Sequence, residues 1–181
     1  MLWIALYVVA GLAGLVALLA LVGLAIPVGH VSARAATLAA PPEQVWAALA
    51  DVAGYARWRR DLKRVEVIST TAFREHGAHG AIAFEVVEAR APELRITRIA
   101  DDKLPFGGRW IYELVREGGG TRVAITEDGT ISNPVFRTMS RTVFSTASTL
   151  EKFLTDLAAH LGVDADVAPC EPSRLASRAA S

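Results

Sequence analysis

The chain has 181 residues in which 19 Lys and Arg offset 19 Asp and Glu, so no whole-protein field recruits nucleic acid. Cys170 is its single cysteine, which excludes an intramolecular disulfide and any cysteine-cluster metal site. Residues 30–162 suffice for one domain with a sizeable core and are too few for two.

The first predicted element is an apolar helix. Leu2 to Val28 contain no Asp, Glu, Lys, Arg or His, and at helical rise the run reaches ~40 Å, beyond the ~30 Å hydrocarbon core of a bilayer. Ala33-Arg34-Ala35 offers a signal-cleavage pattern, but no basic residue precedes the run and its length is about twice that of a signal-peptide core. A retained transmembrane anchor over 2–28 is therefore expected, with Trp3 and Tyr7 suited to the headgroup level. Arg34 and the cluster Arg57, Arg59, Arg60, Lys63 and Arg64 lie only on the distal side, which predicts a single pass, N-out and C-in, with the remainder cytoplasmic.

His30 to Leu38 alternates as a first strand, and Pro41-Pro42-Glu43 opens a helix with Val45, Trp46 and Leu49 on one face. Asp51 starts a second helical piece carrying Tyr55 and Trp58. Five strands are predicted at Val65 to Ile68, Ala81 to Val87, Leu94 to Ile99, Arg109 to Val115 and Thr121 to Ile131, the last two joined through Glu117-Gly118-Gly119-Gly120. Ser132-Asn133-Pro134 then caps one long helix whose apolar positions run from Val135 through Met139, Val143, Phe144, Leu150, Leu154 and Leu157 to Leu161. From Val163 to Ser181 the apolar periodicity ends, and a disordered tail is expected.

This order predicts an α+β fold, a curved antiparallel sheet wrapped around a long C-terminal helix. Ala40-Pro41-Pro42-Glu43-Gln44-Val45-Trp46, Asp51, Trp58, Trp110-Ile111-Tyr112-Glu113-Leu114, Gly120-Thr121-Arg122-Val123 and Asn133-Pro134 occur in an order that resembles the START-like helix-grip superfamily (SRPBCC), in its polyketide cyclase/dehydrase and lipid-transport branch. The resemblance spans residues 30–162. It implies a hydrophobic pocket between sheet and final helix that takes lipids, sterols, polyketides or other apolar ligands, in binders, transporters and enzymes alike.

Strand periodicity supplies the pocket candidates: Trp110 and Tyr112 on one strand, Val123, Ile125 and Glu127 on the next, Phe84 on an earlier one, and Met139 and Val143 on the final helix. Each apolar candidate serves equally as core packing. Glu127, and Glu85 or Glu88 if either turns inward, would be a carboxylate near apolar walls with a raised pKa; Glu127 could instead be solvated at a strand end. His76 and His79 have metal-ligand types but no third partner, so no metal and no cofactor is expected. There is no G-x-S-x-G elbow, phosphate loop or C-x-x-C. The sequence thus points to a membrane-anchored binding or transport module for an apolar small molecule or lipid, with the bilayer as partner and no nucleic acid. A membrane-tethered cyclase or dehydratase, and an interaction module with a filled interior, are the alternatives. Oligomeric state is not legible.

Overall fold

The computed structural model describes residues 2–78, 80–142 and 146–176. Helix α1 (Leu2–Leu24) is continuous, and its segment Trp3–Leu24 is long and apolar enough to cross a membrane. The apolar side chains lie on all its faces and are exposed, unlike the single stripe of a helix lying on a soluble core.

The chain then forms β1 (Gly29–Leu38), α2 (Pro42–Ala50), a 3-10 turn (Val52–Gly54) and α3 (Tyr55–Trp58). Proline in the first turn of α2 loses no hydrogen bond, and Val45 and Leu49 on its inner side are fully buried. The Asp51 carboxylate accepts from the Gly54 amide and so fixes the turn into α3. Next come β2 (Leu62–Val67), β3 (Ala72–Gly77), β4 (Gly80–Arg90), β5 (Leu94–Ile99), β6 (Phe106–Glu117) and β7 (Gly120–Ile131). Two helices, α4 (Pro134–Thr142) and α5 (Thr146–Leu161), precede a short strand β8 (Ala168–Pro169).

The strands form one antiparallel sheet ordered β2-β3-β4-β5-β6-β7-β1-β8. Gly118 and Gly119, both at positive φ, make the two-residue turn that joins β6 to β7. The sheet curls around α5, whose Leu150, Phe153, Leu154 and Leu157 share one core with Leu38, Val45, Leu49, Tyr112, Leu114, Val123 and Ile125. Burying each of these side chains contributes about 1.5–3 kcal/mol, so packing rather than helical propensity holds α5 in place.

The structure departs from the sequence reading in three places. Strand β3 is additional to the predicted strands: its inward alternation runs Phe73 then Glu75, and a carboxylate at a core position breaks the apolar pattern. The single long helix is two. Helix α4 packs along α1 instead of the sheet: Thr138 Oγ1 donates to the Leu19 carbonyl at 2.8 Å and Arg137 Nη1 to the Ile26 carbonyl at 2.8 Å. A Cβ on Gly23 would collide with the Pro134 carbonyl, so glycine permits the close approach. Third, the expected disordered tail is ordered as far as 176. It pairs with β1 at Arg34 and Ala35, and the Ser173 amide donates to Thr126 Oγ1 on the outer face. There it covers Leu94, Ile96 and Ile111 with Ala176. These outward apolar residues need a cover, and the tail supplies it.

Candidate functional site

Strand register sorts the inner face into transverse rows. Residues directly opposite one another share a face, which groups Leu114, Val123 and Ala36; then Arg95, Tyr112, Ile125 and Arg34; then Thr97, Trp110, Glu127 and Ser32. On β6, β7 and β1 exposure rises toward the last row, while Thr97 on β5 stays buried. Val123 and Ile125 are fully buried and Tyr112 nearly so, whereas Trp110, Glu127 and Ser32 are half-buried. The grip therefore opens at the ends of the strands from which α1 and α4 extend.

Aromatic rings fill its middle. Phe153 of α5 lies 5.6 Å from Trp110, 5.7 Å from Tyr112 and 5.4 Å from Trp58 between ring centroids, mostly edge-to-face. Tyr55 joins the group at 6.4 Å, and Phe84 stacks on Phe73 at 5.5 Å beside it. Such pairs add about 0.5–1.5 kcal/mol beyond their buried area.

Polar groups are set into this interior. Arg59 reaches Glu75 at 2.6 Å and Asp61 at 2.8 Å while its guanidinium lies over the Tyr55 and Phe153 rings. Burial raises the Glu75 carboxyl above its ordinary range, with Arg59 pulling the other way. Burial also acts to raise Asp61, but the hydrogen bond and charge of Arg59 prevail and hold it low. The Tyr55 phenol is pushed up to about 12 by burial and donates to the Leu49 carbonyl. Tyr112 is raised further for the same reason, so both phenols remain protonated donors at neutral pH. At the open end, His30 Nε2 stands 3.3 Å from Glu127 Oε1, each side chain 18% exposed.

The candidates divide accordingly. Phe84, Trp110, Tyr112, Val123, Ile125 and Glu127 come together on the inner face. Met139 does not: it is exposed on α4, beside α1 rather than inside the grip. Val143, Phe144 and His79 lie outside the described residues. Glu85 and Glu88 face away, paired to Arg98 and Arg90. The basic cluster is largely consumed by internal pairs, with Arg57 on Asp51, Arg59 buried and Arg60 on the buried Asp156. Arg34 is not a free flank either, since its Nε donates to Glu151 of α5 at 2.7 Å. The sequence reading missed Arg59, Glu75, Arg95 and Phe153. Phe153 alone had a signal, standing three residues after Leu150 and four before Leu157 on the same helical stripe.

Two of the clefts formed by the described residues lie outside the grip. One of about 580 Å³ is bordered by Pro42, Glu43, Arg90, Glu113 and Arg116 at the closed end. The other, about 270 Å³, sits among Asp101, Asp102, Leu104, Phe106 and Ser132 on the rim of the open end. The first has Leu94, Leu114 and Val115 between its charged groups, and neither lies between the sheet and α5, where the walls are aromatic.

The sequence profile of the polyketide cyclase / dehydrase and lipid transport family matches residues 30–162. No curated protein matches the chain. Among solved structures, a START superfamily protein from Mycobacterium smegmatis is similar with a TM-score of 0.60 and 15% identity, over 74% of this chain and 97% of its own. A conserved protein from Geobacillus kaustophilus gives 0.64 and 14%, over 75% and 99%. A norcoclaurine synthase mutant from Thalictrum flavum, in complex with a transition-state analogue, gives 0.61 and 10%, over 75% and 96%. At these identities the likeness is one of fold.

Proposed function

The chain belongs to the polyketide cyclase / dehydrase and lipid transport family, and from that premise we propose that it is a membrane-anchored module that binds or transfers an apolar small molecule or lipid. The observation that carries this reading is the exposure gradient of the inner face. It is closed around Val123 and Leu114 and opens past Trp110 and Glu127 at the end that bears α1 and α4. With α1 spanning the bilayer, that opening stands at the lipid surface, and an apolar ligand can pass between bilayer and grip without crossing water. We place the folded domain on the cytoplasmic side, because Arg34 and the Arg57 to Arg64 cluster follow α1 on that side.

Native mass spectrometry of the full chain released from nanodiscs tests the binding. A retained lipid or apolar compound, and a rise in Tm on adding C12 to C18 amphiphiles, are expected. A bare protein mass together with no thermal shift across the panel would defeat the reading. The enzyme alternative rests on the His30 and Glu127 pair, which places a carboxylate and an imidazole on the inner face beside Trp110. A retained compound whose mass changes on incubation, and stays unchanged in Glu127→Gln, would move the assignment to catalysis.

A further inference from the structure

The inner face holds a cation that the fold itself leaves uncompensated. Arg95 lies on β5 directly opposite Tyr112, in the same transverse row as Ile125 and Arg34, and is only 5% exposed. Its neighbours in kind are provided for: Arg34 has Glu151, and Arg59 has Glu75 and Asp61. Arg95 forms no ion pair with any described residue, and its Nε is enclosed without an acceptor. A guanidinium cannot shed its proton to escape burial. Buried charges are ordinarily paired because desolvation is so unfavourable, which makes a lone one a vacancy for an anion.

The enclosed carboxylate among the aromatic rings, Glu75, is bonded to Arg59 at 2.6 Å rather than to Arg95, and the groups beside Arg95 on its own strand and the next are donors. Tyr112 opposite keeps its phenolic proton, and among the described residues its hydroxyl has no acceptor, unlike that of Tyr55. Thr97, two residues along the same face of β5, is buried with its hydroxyl in the next row, opposite Trp110. Register places Arg95 on the inner face opposite Tyr112, and its burial there keeps the guanidinium out of water. Toward the opening the β4 to β6 side of the lining is apolar, with Phe84, Ile99 and Trp110, while Glu127 and His30 border its β7 and β1 side.

We propose that Arg95, with Tyr112, is the seat of an anionic head group, so that the ligand is an amphiphile with one carboxylate or phosphate at the end of an apolar chain. The head lies deep in the grip and the chain runs past Trp110 to the opening, with the Trp110 and Phe153 rings moving aside to admit it. This rests on the apolar-ligand reading above and narrows it.

The test compares oleate, oleyl alcohol and oleoyl lysophosphatidate binding to the full chain in nanodiscs, in the wild type and in Arg95→Met and Arg95→Lys. Wild type is expected to hold at least one of the two anions about 10-fold or more tighter than the alcohol, the effect of a charge-assisted hydrogen bond. A preference for oleate identifies a carboxylate, and for the lysophosphatidate a phosphate. Arg95→Met should erase the preference with alcohol affinity unchanged, while its unliganded Tm stays at or above that of wild type because an uncompensated charge has gone. Arg95→Lys should keep part of the preference. Equal binding of alcohol and anions by wild type overturns the Arg95 assignment and leaves the apolar-ligand reading standing. Failure of all three amphiphiles to bind overturns both.

Discussion

Glu75 and Asp61 share one guanidinium and yet titrate in opposite senses, because their burial differs. Glu75 is nearly enclosed, and burial lifts its folded pKa above 4.5. A group whose folded pKa is raised binds protons more readily in the native state, so its contribution grows as the pH falls from neutrality and is complete below 4.5. Asp61 is more exposed and is held below 3.8, so its contribution is present above 3.8 and is lost at lower pH. Urea unfolding of wild type and Glu75→Gln between pH 7 and about 4.5 separates the two. The stability of wild type relative to the variant is expected to increase toward the acid end. A difference that is flat or that shrinks with acidification would show that Arg59 outweighs burial at Glu75.

Helices α4 and α5 continue one apolar sequence pattern but serve different neighbours. α5 offers Leu150, Phe153, Leu154 and Leu157 to the sheet, while α4 buries Thr138 and Arg137 against the last turns of α1 and the loop after it. Arg137 satisfies the carbonyl of Ile26 beyond the end of α1 and that of Ser132 before α4, tying the two helices by their backbones. The outward face of α4 carries Phe136, 49% exposed. If α1 spans the bilayer, that ring lies at the acyl boundary of the same leaflet. An environment-sensitive dye on Phe136→Cys in a Cys170→Ser background, in vesicles, is expected to emit from an apolar setting as it does on Leu12→Cys. Gly23→Leu should return the dye at 136 to water, because it wedges Pro134 away. Aqueous emission at 136 in the parent protein, with buried emission at 12, would place α4 off the membrane while keeping the anchor.

Over the whole molecule, the tail decides how the sheet is finished. β8 covers the free edge of β1, and the segment to Ala176 covers an outer face that would otherwise present Leu94, Ile96 and Ile111 to water. Arg109, bonded to Asp128, also donates to the Leu175 carbonyl at 2.6 Å and so clamps the strap. Cys170 lies within this strap, half-buried, with burial pushing its thiol pKa up. A maleimide is therefore expected to label Cys170 slowly in folded, detergent-solubilised protein and quickly in urea. In cells, a membrane-impermeant maleimide should label it only after the inner membrane is permeabilised. Equal rates in folded and unfolded protein would detach the strap, and labelling in cells with an intact inner membrane would reverse the orientation.

Local chemistry alone determined a good deal about this protein. The charge-free run after Met1 made α1, paired glycines made the β6 to β7 turn, and period-two alternation put Trp110, Tyr112, Val123, Ile125 and Glu127 on one face. Each of these follows from residues near one another in the chain. Tertiary structure decided the rest, since its causes lie between distant segments. Glu75 occupies a core position because Arg59, sixteen residues earlier, donates to it at 2.6 Å. Met139 left the grip because α1 claims α4, and the polar tail became ordered because an outer sheet face far upstream needed cover. Arg95 reads in the sequence as one more charged residue on a strand; only the register of β5 against β6 turns it inward, where the curl of the sheet around α5 shuts out the water that would have solvated it.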